Sequence, residues 1–237
     1  MGKHIRKFLV FALSVLVFGG CAGLSVAPLD ATKLTAYERM VNSIVVLTGC
    51  TGAVLKNDGK SVVILTAAHC VKEADLLPIP VETKLGKKAM CFGKLAGVAH
   101  RPDLAVVTVD KCQLPTTAVV LAKASPKLGE TIFAVGNPAL TDYVLTKGIV
   151  SRAWVALGGQ GRMIMSAPVI FGNSGGPYLN EHGELVGLVI GIGRTAVRNA
   201  DGTRSLLYFN VSHLGVAVPL EEIKIFLKTN GFAYLVR

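Results

Sequence analysis

Short runs of apolar, β-branched residues, separated by turn-forming residues, recur along most of the chain. Two of the clearest runs are 61–65 (S-V-V-I-L) and 103–109 (D-L-A-V-V-T-V), which have the length and composition of buried strands. The segments 32–42 and 221–228 instead have helical character, and Asn230-Gly231 supplies a stop signal for the second. The pattern therefore predicts an all-β fold that ends in a short helix.

The composition agrees with this pattern. The chain has 237 residues, of which 51% are hydrophobic, 6% are aromatic and 26 are glycine. Such a chain suits many short strands joined by tight turns, and its length suits two packed barrels. No low-complexity segment or sequence repeat is visible.

The formal net charge is +10. Three of the basic residues, Lys3, Arg6 and Lys7, lie in the first residues of the chain, and the remainder are scattered without interleaved aromatic residues. A basic surface can bind nucleic acid, anionic lipid or envelope polymers, but no nucleic-acid-binding motif accompanies this one. We therefore expect no nucleic acid partner.

Residues 1–27 have the features of a targeting segment. A basic stretch through Lys7 is followed by an apolar stretch from Phe8 to Phe18 and then by Gly19-Gly20-Cys21. This order resembles a bacterial lipoprotein signal, in which the cysteine is acylated after cleavage, so we expect lipidation of Cys21. Cleavage after Ala27 and a retained membrane span over 8–27 are the alternatives. Each predicts a protein that is exported, periplasmic or extracellular, or attached to a membrane.

The motif with the clearest catalytic features is the hexapeptide Gly172-Asn173-Ser174-Gly175-Gly176-Pro177. Glycines let a substrate carbonyl approach the turn closely, and they let successive backbone N–H groups point at one spot. A serine in such a turn has the surroundings of a nucleophile beside an oxyanion hole. The sequence therefore nominates Ser174 as a catalytic residue.

A serine hydroxyl requires a base to take its proton and a third group to orient that base. His69 directly follows the predicted strand 61–65, and Asp103 begins the predicted strand 103–109. The order His, Asp, Ser along the chain is the chymotrypsin order. His69, Asp103 and Ser174 are thus the candidate triad.

These residues make the chain resemble the trypsin/chymotrypsin-fold serine proteases over roughly residues 43–220, and most of all the HtrA (Deg) proteases. The segments that carry the HtrA resemblance are 135–138 (V-G-N-P), 146–151 (T-K-G-I-V-S), 179–187 and 215–219. HtrA proteins continue into PDZ modules, whereas 18 residues follow Pro219 here. We therefore expect an HtrA-like protease domain without PDZ functions.

The resemblance implies two packed six-stranded antiparallel barrels, over 40–115 and 126–219. A tether (28–39) would precede them, and a C-terminal helix and tail (220–237) would follow. It also implies a role for each matched residue: Ser174 attacks the peptide carbonyl, His69 acts as base and then acid, and Asp103 orients His69. Backbone N–H groups of Gly172 and Ser174 would form the oxyanion hole, and no cofactor is needed.

The five cysteines suit an exported protein. In the trypsin-like fold, cysteines placed as Cys50 and Cys70 are here form a disulfide, so the resemblance implies a Cys50–Cys70 bond that would fix the loop of His69. Cys91 and Cys112 flank the Asp103 strand and could form a second bridge, which the family does not prescribe. Cys21 is then left over, in agreement with lipidation. No cysteines or histidines have the close spacing of a zinc site.

The substrate pocket is expected to be apolar. Pro168 occupies the position six before the serine where trypsin-like specificity for basic side chains places a carboxylate. The other expected wall residues are Val169, Ile170, Val189, Ile190 and Gly191. The sequence thus predicts a serine endopeptidase that acts on peptides or proteins. The alternatives are a catalytically silent, peptide-binding lipoprotein of the same fold, and a lipoprotein that binds envelope polymers.

Overall fold

The computed structural model describes residues 29–47, 49–71, 76–82, 88–112, 114–138, 143–198 and 204–236. The targeting segment and the predicted lipidation site at Cys21 lie outside these residues. Within them, no helix has both the length and the apolarity needed to cross a bilayer. The predicted all-β fold with a short C-terminal helix is confirmed: two six-stranded antiparallel sheets dominate the structure.

The first sheet comprises residues 44–110 in the spatial order β1-β2-β3-β6-β5-β4. All its pairings are antiparallel, and its edge strands β1 and β4 come into contact. The strands are β1 (Ile44–Leu47), β2 (Cys50–Asn57), β3 (Ser61–Thr66), β4 (Leu76–Glu82), β5 (Lys88–Ala99) and β6 (Leu104–Asp110).

The second sheet is a closed barrel in the order β10-β11-β12-β9-β8-β7. Its strands are β7 (Thr131–Gly136), β8 (Val144–Leu157), β9 (Gln160–Met165), β10 (Pro177–Leu179), β11 (Leu185–Arg198) and β12 (Arg204–Pro219). Two helices flank the sheets: α1 (Ala36–Val41) precedes the first, and α2 (Leu220–Thr229) follows the second. The barrel closes through the short strand β10, which pairs with β7 on one side and with β11, only as far as Leu188, on the other.

Helix α1 is shorter than the helical segment 32–42 in the sequence pattern. A reciprocal capping box between Thr35 and Glu38 fixes its first turn. Met40 is buried, and the Tyr37 ring meets Phe133 of β7 edge-on at 5.7 Å. The helix therefore packs on the second barrel.

Alternation along the strands divides the core in two. In β6, Leu104 and Val106 belong to the core that is shared with the second barrel. Ala105, Val107 and Val109, on the opposite face, belong to a separate core formed by residues of the first sheet and its loops. Strand β3 alternates in the same way. Because neighbouring side chains of a strand point to opposite faces, these two strands are apolar on both faces. This explains why β3 and β6 appear in the sequence as continuous apolar runs instead of alternating apolar and polar residues.

Two disulfides connect the first sheet, and both are pairs named from the sequence. Cys50 at the start of β2 is bonded to Cys70, which directly follows His69. Cys91 of β5 is bonded to Cys112, just after β6. The loops they close are almost equal, with sequence separations of 20 and 21 residues.

We predict that replacing either pair of cysteines by alanine lowers the free energy of unfolding by a similar amount, about 3 kcal/mol, because the closed loops are of similar length. Only Cys50→Ala/Cys70→Ala should also speed amide hydrogen exchange at His69 and Val71, since only that bridge anchors this turn. Urea unfolding and hydrogen-exchange mass spectrometry test both statements. Equal exchange at His69 in the two variants would contradict the anchoring role.

Candidate active site in the cleft between the barrels

His69 and Asp103 are brought together by the register of two neighbouring strands. Strands β3 and β6 are antiparallel, with Thr66 opposite Ala105, so the end of β3 meets the start of β6. His69 lies in the 3₁₀ turn Ala68–Cys70 that follows β3. Its Nδ1 lies 2.8 Å from Asp103 Oδ2, and its backbone N–H donates to Asp103 Oδ1 at 3.0 Å. The carboxylate thus holds both the ring and the backbone of the histidine.

This contact changes the protonation of the imidazole. The hydrogen bond with the Asp103 carboxylate raises the pKa of His69 above its ordinary value of 6.5, and the charge of Asp103 adds to this, while partial burial of the ring opposes it. With Nδ1 donating to the carboxylate, the neutral ring leaves Nε2 as its acceptor. The pair therefore has the arrangement of a base and the group that orients it.

Asp103 has an unusual backbone conformation, with φ of 84°. This left-handed region is unfavourable for most residues, but aspartate and asparagine tolerate it better than others. The Asp103 N–H donates to the carbonyl of Ala99 at 3.0 Å, and this bond ties the residue to the end of β5. The strained turn aims the carboxylate at His69 before the chain enters β6.

Ser174 lies in a tight turn between β9 and β10 in which glycine is required. Gly175 has φ of 82°, and a Cβ there would overlap the carbonyl oxygen of Thr51. The Gly175 N–H donates to Val189 O at 2.7 Å, and the Gly176 N–H donates to Asn173 O at 2.9 Å. The glycine-rich hexapeptide therefore lets the turn sit directly against the first sheet.

Thr51, which sequence reasoning missed, joins this turn to the first sheet. Its N–H donates to Ser174 O at 2.8 Å and its Oγ1 donates to Gly172 O at 2.7 Å. The same Oγ1 accepts the Asn137 N–H at 3.1 Å, and Thr66 Oγ1 donates to Thr51 O at 2.8 Å. Thr51 is fully buried. Its position next to Cys50 is its one distinguishing feature in the sequence, and that position does not indicate the contact with Gly172.

The N–H groups of Gly172 and Ser174, nominated as oxyanion donors, donate to no acceptor among the described residues. The neighbouring Asn173 N–H donates to Ile170 O at 3.1 Å instead. Within the described part of the chain, Ser174 Oγ forms no hydrogen bond with His69, although both residues line one cleft. Catalytic hydrogen bonds of this kind are often long in ligand-free structures and shorten when substrate binds.

The cleft has a volume of about 780 Å³ and contains His69 and Ser174. Four of the predicted wall residues line it: Ile170, Val189, Ile190 and Gly191. The other two do not: Pro168 is exposed and Val169 is buried in the core of the second barrel. Residues that sequence reasoning missed in the lining are Gly49, Val71, Leu76, Leu77, Pro78, Phe171, Ile192 and Arg194.

Among the described residues, metal-ligating side chains come together at Cys50, His69 and Cys70, whose donor atoms lie within 4.8 Å of one another. Both sulfur atoms are bonded in the disulfide, so they cannot serve as thiolate ligands. The group is explained by the disulfide next to His69.

A sequence profile of the trypsin-like peptidase domain matches residues 50–188, which include His69, Asp103 and Ser174. The chain belongs to the trypsin-like peptidase domain family. The resemblance to HtrA proteases is confirmed by its relatives. A probable periplasmic serine endoprotease, DegP-like, of Pseudomonas putida is 34% identical over 140 residues, which are 58% of this chain and 28% of that protein. The putative serine protease HhoB of Synechocystis is 33% identical over 180 residues, which are 72% of this chain and 37% of that protein.

Solved structures show the same fold. The HtrA-type protease AlgW with a decapeptide superposes with a TM-score of 0.58 at 24% identity, covering 78% of this chain and 51% of that one. The serine endoprotease from Yersinia pestis gives a TM-score of 0.60 at 21% identity, covering 86% and 68%. This chain spans only about a third of the length of the curated relatives it matches.

We predict that Thr51→Val loosens the serine turn. The substitution keeps the shape of the side chain but leaves Gly172 O and the Asn137 N–H without their hydroxyl partner, which should lower the free energy of unfolding by about 1–3 kcal/mol. Hydrogen exchange of the peptide covering 170–177 should accelerate. Thr117→Val is the matched control, because the buried Thr117 hydroxyl bonds the carbonyl of Arg39, away from the cleft. Unchanged exchange at 170–177 in Thr51→Val would show that the hydroxyl does not hold the turn.

Proposed function

We propose that this protein is a serine endopeptidase in which Ser174, His69 and Asp103 form the catalytic triad. The observation that carries the proposal is the Asp103 carboxylate holding His69 in the same cleft as Ser174. Membership of the trypsin-like peptidase domain family and kinship with named serine endoproteases support it.

In the proposed reaction, Ser174 Oγ attacks the peptide carbonyl while His69 Nε2 takes its proton. The imidazolium formed is stabilised by Asp103 and then donates the proton to the departing amine. Water, activated by His69 in the same way, hydrolyses the acyl-enzyme and restores the serine. The nucleophile, the base and the group that orients the base are thus all side chains of this chain.

The oxyanion of the tetrahedral intermediate would be stabilised by the N–H groups of Gly172 and Ser174. Neither is engaged by another acceptor among the described residues, so both remain available to a substrate oxygen. Donors fixed in advance need little reorganisation when the negative charge develops, and this is a large source of catalysis. The hydrogen bonds from Thr51 to the carbonyls of Gly172 and Ser174 hold this segment in place.

The preferred side chain before the scissile bond is proposed to be small or medium-sized and apolar. The walls near Ser174 include Ile170, Val189, Ile190 and Gly191, and no carboxylate lines the described cleft. A lysine or arginine buried there would lack a partner, and an unpaired buried charge costs several kcal/mol. A Cβ on Gly191 would meet no other atom within 4 Å, so the cleft is open at this residue.

Ser174→Ala is expected to abolish hydrolysis of a peptide library while leaving the unfolding transition unchanged. Loss of the nucleophile lowers kcat by about 10⁶-fold in subtilisin, the measured precedent for a triad. Ser151→Ala is the matched control, since Ser151 lies on β8 outside the cleft. Turnover retained in Ser174→Ala would refute the nucleophile. A wild-type protein that binds library peptides without cleaving any would indicate the silent binding protein instead.

Asp103→Asn tests the role of the carboxylate through pH. Because the pKa of His69 is raised, hydrolysis should increase as the pH rises through a value above 6.5 and the ring becomes neutral. The stability from this contact runs the opposite way: it is fully present below the unfolded-state pKa of histidine and is lost as the pH rises through the raised value. Asparagine tolerates the backbone at position 103, so the fold should persist.

In Asp103→Asn, kcat should fall by about 10⁴-fold, and the midpoint of the pH–rate profile should move to lower pH. Proton NMR of the His69 ring should show the same downward shift. A profile with an unchanged midpoint would mean that Asp103 does not control the protonation of His69.

We propose further that the protein acts outside the cytoplasm, tethered through a lipidated Cys21. The named relatives include a probable periplasmic endoprotease, and the two disulfides suit an oxidising compartment. The disulfides use the other four cysteines, so Cys21 is left without an intrachain partner among them.

The expected mature N-terminus is an acylated Cys21, and wild-type protein should fractionate with membranes, whereas Cys21→Ser should not be lipidated. Two or three acyl chains hold a protein firmly on a membrane, while one does so only marginally. Intact-mass measurement on the membrane-extracted protein decides the matter. An N-terminus at Met1, or at Pro28 on freely soluble protein, would contradict lipidation and leave the peptidase proposal standing.

A further inference from the structure

The described lining of the cleft contains a basic residue that is always charged but no acidic residue. This residue is Arg194, and the rest of the described lining is mostly apolar. The Arg194 side chain is exposed, and it forms no ion pair with any described residue. A guanidinium is permanently charged and offers donors in a fork that matches a carboxylate. Arg194 is therefore a cation in the cleft without an anionic partner from the described protein.

Strand β11 places this cation at a defined distance from the serine. Val189 is tied to the serine turn by two backbone hydrogen bonds, to Gly175 and Gly176, and strand β10 pairs with β11 only as far as Leu188. Beyond this point β11 is paired on one side with β12, through Gly191 and Arg194, and the described residues supply no strand on its other side. Arg194 lies five residues beyond Val189. A regular extended strand would cover roughly 16 Å over this stretch, and the two register shifts in it, at Val189–Gly191 and Ile192–Gly193, shorten that span.

A substrate extended along this part of β11 would also rise by about 3.3 Å per residue. The side chain of arginine covers a few ångströms of this distance, so the guanidinium meets a substrate residue three to five positions from the scissile bond. Its neighbours in the cleft are apolar, and Phe171 and Ile170, near Ser174, are 68% and 43% exposed. Because the Arg194 side chain is itself exposed, solvent screens an ion pair formed there, and the preference it confers should be modest.

We propose that Arg194 is a specificity-determining residue that binds a substrate carboxylate three to five residues from the scissile bond, on the side that lies along β11. The favoured substrate class is an apolar peptide that carries this single acidic group. The carboxylate belongs either to an aspartate or glutamate side chain or to a chain terminus. This inference rests on the proposed function, because the position is counted from the bond that Ser174 attacks.

The test uses fluorogenic peptides with a fixed apolar centre, in which one glutamate is placed at each flanking position in turn. Each peptide has a partner with glutamine at the same position, and a further pair ends in a free carboxylate or an amide. For one of these pairs, wild-type kcat/KM should be about threefold to tenfold higher for the peptide with the carboxylate than for its partner with the amide. Which pair shows the preference identifies the source of the carboxylate.

Arg194→Gln should remove this preference, Arg194→Lys should keep part of it, and Arg194→Glu should favour lysine at the same position. Arg152→Gln is the matched control, because Arg152 is exposed on β8 and lies outside the cleft. The preference should also weaken as salt is raised. Equal rates for every acid and amide pair in wild type, or a preference that survives Arg194→Gln, would overturn the proposal.

Binding measurements separate this inference from the peptidase proposal. Fluorescence anisotropy of the same peptides with the Ser174→Ala variant should show the preference for the acid without any turnover. If the wild type cleaves no peptide but the Ser174→Ala variant still binds the acidic peptides more tightly than their amide partners, the peptidase proposal is refuted and the carboxylate site is supported. If cleavage depends on Ser174 but neither binding nor kcat/KM distinguishes glutamate from glutamine, only the carboxylate site is refuted.

Discussion

The candidate site depends above all on the buried contact between Thr51 and the serine turn. Ser174 belongs to the second barrel, whereas His69 and Asp103 belong to the first sheet, so their geometry depends on how the two sheets meet. Thr51 fixes this meeting by donating two hydrogen bonds to backbone carbonyls on either side of Asn173. Backbone groups offer fewer alternative positions than side chains, and a buried group that loses its partner is costly. The contact therefore resists small shifts between the sheets that apolar packing alone would allow.

The second constraint is the antiparallel register of β3 and β6. It brings two residues 34 positions apart in the sequence into a contact in which one carboxylate accepts from both the ring and the backbone of His69. The disulfide between Cys50 and Cys70 closes the other side of the histidine turn. Together these contacts limit the positions open to His69, which a general base requires, and Nε2 forms no hydrogen bond with the described residues.

The sequence predicted those parts of the molecule that depend on local pattern. Strands β3 and β6 were visible because they are apolar on both faces, and the glycines around Ser174 were visible because only they permit the turn. Thr51 was not visible, because its partner Gly172 lies 121 positions away and a lone threonine in a strand carries no sign of such a bond. Pro168 was assigned to the pocket wall from its position six before Ser174, and Val169 as its apolar neighbour. The structure leaves Pro168 exposed and buries Val169, because position in the sequence does not show which side chains face the cleft. Arg194 was seen only as one scattered basic residue, and its place in the cleft follows from the path of β11.

The most direct test of the central claim is the rate at which a fluorophosphonate labels the protein, with the adduct located by peptide mass spectrometry in wild type and in His69→Ala. We predict a single adduct on Ser174 in wild type, formed faster as the pH rises and His69 becomes neutral. Labelling should be at least about a thousandfold slower in His69→Ala, because the serine then has no base. An adduct on another residue, or equal labelling rates in the two proteins, would contradict the claim that His69 activates Ser174.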